Sequence, residues 1–137
     1  FALGGLATHL AQIPHWGRAI LDKESYDLAD AGATRAAEQT TVQGVLETFD
    51  RHVDALRKRL LDKTDAELMA PWALMRGSQL VMSLPRLAAL RSFVLHHLIH
   101  HRGQMTVLMR QAGLKVPGVM GPSKEEWAAY GMDAPPY

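Results

Sequence analysis

Residues 96–104 read HHLIHHRGQ, which gathers four of the chain's seven histidines into one short stretch. Imidazole nitrogen is a good ligand for Zn²⁺, Ni²⁺ and Fe²⁺. On a helix, His97 and His101 stand at i and i+4, so their rings leave one face a single turn apart and can reach one ion. His96 and His100 form a second pair of the same spacing, rotated by about 100°. Spacing alone leaves both registers open. Gln104, three residues past His101, and His100 are the candidates to orient a ligand by hydrogen bonding. Two ligands on one helix do not close a site, and the other histidines are His9, His15 and His52. His9 lies beside Leu6, Leu10 and Ile13 and can face an interior. His15 follows Pro14 and, with Trp16, could line a pocket. His52 neighbours Arg51, which favours the surface. The competing reading is a set of hydrogen-bonded core histidines that hold no ion.

Several chemistries are excluded by what the chain lacks. It has no cysteine, hence no disulfide, thiolate ligand or cysteine nucleophile. His97 and His101 are separated by Leu, Ile and His, so the glutamate of H-E-x-x-H is missing. No Glu-x-x-His occurs, against a di-iron bundle. Neither a glycine-rich phosphate loop nor G-x-S-x-G occurs. No general base stands out. A net charge of +1 argues against nucleic acid or an anionic membrane as partner. No apolar run approaches the roughly 18 residues of a membrane span, and FALGGLATHL lacks the pattern of a signal peptide. Together with the absence of cysteine, this leads us to expect a cytoplasmic protein.

The elements that must carry these histidines follow from periodicity. Residues 3–21 space Leu3, Leu6, Leu10, Ile13, Ile20 and Leu21 at helical intervals, with Pro14 as a kink or restart. Thr34 is a plausible N-cap for an amphipathic helix over 35–61, whose apolar stripe includes Val45, Leu46, Phe49, Val53, Leu56 and Leu60. Its Arg51, Arg57, Lys58 and Arg59 read as a solvated face. Residues 63–70 suit one short helical turn. Residues 71–86, with Gly77–Ser78 between apolar pieces, read as extended chain or a loose hairpin. Pro85 then opens a long helix over 84–112 that Gly113 closes. Ser123 and Glu126 can form a capping box for a short helix near 123–130. With 137 residues, 47% of them hydrophobic, a single domain over 1–137 is expected, all-α, as a helical bundle.

The segment HHLIHHRGQMTVLMRQAGLKVPGVMGPS (96–123) resembles the C-terminal signature of the DinB/YfiT-like superfamily, H-x-x-x-H-R-G-Q on the last bundle helix. LGGLATHLAQIP (3–14) is similar to that family's first metal-ligand segment, and 71–91 to the segment before its last helix. The resemblance implies an up-down-down-up four-helix bundle, usually dimeric, with three histidines on one divalent ion, Zn²⁺ or Ni²⁺. By motif those are His9, His97 and His101. It further implies a metal-dependent enzyme acting on a small molecule: a thiol-dependent S-transferase with a low-molecular-weight thiol cosubstrate, or a hydrolase. The alternative is a non-catalytic metal-binding or dimerisation bundle. The family's helix preceding the His9 segment is not seen here, so the expected bundle either lacks its first helix or is trimmed of it, and the stripe that helix covers would be exposed or buried by a partner chain.

Overall fold

The computed structural model describes residues 2–32, 38–133 and 135. The chain forms two compact units, residues 1–102 and 103–137. In the first unit the order is helix α1 (Leu3–Asp22), strand β1 (Ser25–Asp27), a 3₁₀ turn (Leu28–Gly32), helix α2 (Val42–Leu61), helix α3 (Asp65–Met69), strands β2 (Pro71–Arg76) and β3 (Gln79–Pro85), and helix α4 (Arg86–Leu90). A wider π-helical turn (Arg91–His96) then leads into helix α5 (His97–Gln111), which runs on past the boundary between the units.

Helix α1 runs through Pro14 without a break. Proline supplies no N–H, so the Leu10 carbonyl loses its α-helical partner. Three residues further on, Gly17 lets α2 approach: a Cβ there would fall 2.7 Å from Leu56 Cδ1. The two helices are also joined at their ends by the Arg59–Asp22 ion pair. The Gln39 amide, just ahead of α2, donates to Thr8 Oγ1 at 3.0 Å. Helix α2 begins at Val42, capped by Thr41 accepting from the Gly44 amide at 3.1 Å. The helix expected from residue 35 is thus shorter: residues 38–41 are non-helical, and Thr34 lies outside the described residues.

The expected all-α architecture needs a correction. The domain is mostly helical but carries a three-stranded sheet in the order β1-β2-β3. β1 pairs parallel with β2, and β2 antiparallel with β3 around the Gly77–Ser78 turn. Gly77 has φ +57°, a conformation that glycine adopts without steric cost. Asp27 Oδ1 accepts from the amides of Gly77 (3.0 Å) and Ala29 (2.8 Å), tying β1 to the hairpin. Those two bonds lower the Asp27 pKa. Trp72 and Leu74 alternate inward from β2 and join Ile13, Ile20, Leu21, Ala89, Leu90 and Val94 in the core.

Helix α3 opens with a reciprocal capping box between Thr64 and Glu67, and those bonds, with Lys63, hold the Glu67 carboxyl down to about 2. The start of α4 is pinned to the end of α1: the Arg86 guanidinium donates to the carbonyls of Ile20 and Lys23. A cation at a helix C-terminus satisfies carbonyls that have no partner within the helix. Arg86→Ala is expected to cost about 2 kcal/mol, two charge-assisted bonds being lost, and Arg86→Lys to recover part of it. Urea unfolding measures both.

The second unit contains the rest of α5, whose end has the expected glycine cap. Gly113 sits at φ +73°, and the Leu114 amide returns to the Met109 carbonyl at 2.9 Å. Helix α6 (Lys124–Ala129) starts with the Ser123–Glu126 capping box that the sequence predicts. Among the described residues no helix is long and apolar enough to cross a membrane.

Candidate metal centre

The site is assembled from α1 and the start of α5, both in the first unit. Helix α1 supplies His9, one turn before buried Ile13. The wider turn over Arg91–His96 lags α-helical rotation by about one residue, so it sets the direction in which His97 and His101 leave α5. Such turns are uncommon and concentrate at functional sites.

His9, His97 and His101 converge. His97 Nε2 lies 3.2 Å from His9 Nε2 and 2.8 Å from His101 Nε2. One potential ligand nitrogen from each ring falls within 4.8 Å of the others. Imidazole nitrogens sharing one ion at 2.0–2.1 Å stand about 3 Å apart at tetrahedral or octahedral angles. The spacing therefore suits three ligands to one ion. The group contains three imidazoles and no carboxylate. His101 is buried, His9 and His97 partly so.

A ring N–H of His97 donates to the backbone carbonyl of Phe93. With that proton on Nδ1, Nε2 turns its lone pair toward the other two rings, an arrangement common among metal-ligating histidines. Trp16 backs the cluster, its ring 5.6 Å from His9 and 5.3 Å from His97. Burial lowers the His97 pKa, the neighbouring His101 and His100 lower it further, and the Phe93 carbonyl partly opposes them. His97 thus stays neutral, as a metal ligand must be, further into acid than a free imidazole.

The remaining histidines stand elsewhere. His96 and His100 are exposed, so the second register does not enter the cluster, although the His100 ring lies 4.9 Å from that of His101. Gln104 is exposed, three residues past His101. His15 and His52 pair with each other at 5.2 Å between rings. His52 is partly buried rather than at the surface, because its Nδ1–H reaches the Ala11 carbonyl of α1 at 2.9 Å. Partial burial and the charges of His52, Arg18 and Lys23 lower the His15 pKa.

The lowered pKa values of His97 and His15 give a pH dependence. Near pH 6.5 these imidazoles are less protonated in the folded chain than in the unfolded chain. The unfolded state then binds more protons, so stability rises with pH in that window: it is complete above about 6.5 and lost as pH falls through the folded-state values. Ion-free protein is expected to show a Tm that declines from pH 7.5 to 5, with a shallower slope in His97→Ala.

The pattern of the DinB family matches residues 2–135, nearly the whole chain, including all three histidines. This chain belongs to the DinB family. The DinB chain is also similar to "Uncharacterized protein YrdA" of Bacillus subtilis (strain 168), with 66% identity over 47 residues, which are 34% of this chain and 28% of that relative. The match spans under a third of YrdA's length, and YrdA's name carries no activity. No solved structure is matched.

Two features of this site are not readable from sequence: the wide turn before His97, and the Phe93 carbonyl that holds the His97 ring. Trp16 had a signal, since it lies seven residues past His9, on the same helical face.

Proposed function

We propose that this DinB-family chain holds one divalent ion, Zn²⁺ or Ni²⁺, on His9, His97 and His101, and that the ion serves catalysis on a small molecule. The convergence of the three rings at 2.8–3.2 Å carries this reading. Three neutral imidazoles leave positions open for substrate, as catalytic rather than structural sites do. When bound, such an ion lowers the pKa of a ligated water or thiol. The chain has no cysteine, so a sulfur nucleophile comes from a low-molecular-weight thiol cosubstrate and makes the protein an S-transferase; water in its place makes it a hydrolase. Phe93 holds His97 in position, Trp16 keeps water from one side of the cluster, and His100 orients the incoming group.

The helices α1, α2 and the stretch beginning at Arg86 correspond, in this proposal, to the last three helices of an up-down-down-up bundle. Exposed Leu87, Leu95 and Ile99 support a homodimer. They also favour the alternative of a non-catalytic dimerisation module. Turnover separates the two. Zn²⁺- or Ni²⁺-loaded protein is assayed for transfer of glutathione or cysteine to 1-chloro-2,4-dinitrobenzene, and for hydrolysis of p-nitrophenyl acetate. A rate that vanishes in His97→Ala supports the enzyme. Equal rates in the two proteins contradict it.

A further inference from the structure

The chain has three each of Trp, Tyr and Phe, and four of these nine residues, Trp16, Tyr26, Trp72 and Phe93, line one cavity of the first unit. Ala19 of α1 and Leu28 add to its wall, and no charged side chain lines it. The cavity holds about 130 Å³, close to an engineered apolar cavity of about 150 Å³ that stays dry and binds benzene. An empty apolar space forfeits dispersion contacts along every wall, so native cores keep few of them. Leu28 is 37% exposed, so on that side the wall is also surface. The cavity adjoins the three histidines along both helices that carry them. Trp16 lies seven residues past His9, about 10 Å along α1, and its ring meets His9 and His97. Phe93 stands four residues before His97, and its carbonyl accepts from the His97 ring. Trp16 and Phe93 are thus common to the cavity and the centre.

We propose that this cavity receives the apolar end of the substrate: a neutral, wholly hydrocarbon group of benzene size, phenyl or branched alkyl, whose polar reacting end lies at the histidines. Aromatic walls can also hold a quaternary ammonium. Here no acidic side chain lines the cavity to balance a cation, and an ion on three neutral imidazoles makes the neighbouring centre positive. The group's role rests on the catalytic reading of the three histidines, whereas its binding in the cavity needs no ion.

Toluene, phenol and tetramethylammonium are titrated into ion-free protein while the tryptophan indole N–H resonances, assigned with Trp→Phe variants, are followed by ¹⁵N NMR. Toluene is expected to shift the Trp16 and Trp72 resonances and to bind about tenfold tighter than phenol, whose hydroxyl gives up its water in an apolar site. Tetramethylammonium leaves both resonances unmoved. Ala19→Leu, or Ala19→Val should the larger residue not fold, reduces the cavity and weakens toluene about tenfold. Absence of toluene binding to folded wild type, equal binding of phenol, or a preference for tetramethylammonium overturns the proposal. The link to the centre is read on Zn²⁺-loaded protein. Phenylacetohydroxamate is expected to bind about tenfold tighter than acetohydroxamate, and the Ala19 variant to lose that gain. Equal affinities in wild type, or a gain kept in the variant, overturn the role of the cavity as substrate pocket. If neither hydroxamate binds, the metal reading fails, and the toluene result still decides the cavity.

Discussion

His97→Ala is expected to lower Zn²⁺ affinity by more than about a hundredfold, whereas His100→Ala changes it by less than about threefold. Loss of an outer hydrogen-bond partner alone costs roughly 10- to 100-fold in affinity, and loss of a ligand costs more. His97 is the hinge of the group, since its Nε2 is the atom close to both His9 and His101. Without it two rings from different elements remain, and no third side chain of the group replaces it. His100 sits beside His101 and three residues past His97 in sequence but is exposed. The contrast therefore tests the helical register as well as the site. Competition with a chromophoric chelator measures both affinities. Equal losses would place the ion on a different set of histidines.

The second large effect belongs to the scaffold. Ile13→Ala is expected to destabilise the ion-free protein by about 3 kcal/mol, through lost burial and the cavity left behind. Its side chain is 0% exposed and packs in the cluster with Ile20, Leu90 and Val94, where α1 meets the π-helical turn. For a chain of this size that lowers Tm by roughly 10 °C. The two variants should dissociate: Ile13→Ala loses stability yet binds the ion at full stoichiometry while folded, and His97→Ala loses the ion with a much smaller change in ion-free stability. Calorimetry beside chelator competition separates them. A loss of binding in folded Ile13→Ala would mean that the site needs more exact packing than the three-ring geometry implies.

Much of this was legible in the chain itself. Residues 3–21 repeat leucine and isoleucine at helical intervals because one face of α1 is buried, and the Ser123 cap follows from a hydroxyl and a carboxyl group three residues apart. His97 and His101 were visible as a pair because i and i+4 share a helical face. The sheet was only half visible. The hairpin announces itself at Gly77–Ser78, but β1 is three residues, Ser-Tyr-Asp, too short for an alternating pattern, and its pairing is settled by Asp27 meeting the hairpin turn. The wide turn over Arg91–His96 has no sequence signature, because it is fixed by how Phe93 and Val94 pack against other elements. His52 misled for a similar reason: its charged neighbour points to solvent, while its own partner is a carbonyl forty-one residues away.

The central claim is that His9, His97 and His101 hold one ion, and metal analysis of tag-free wild-type protein tests it most directly. Inductively coupled plasma mass spectrometry, after purification and after reconstitution with Zn²⁺ or Ni²⁺ followed by desalting, is predicted to find close to one ion per chain, and none in His97→Ala. Protein that retains no ion under any of these conditions would contradict the account and leave the three rings as packing in the helical core.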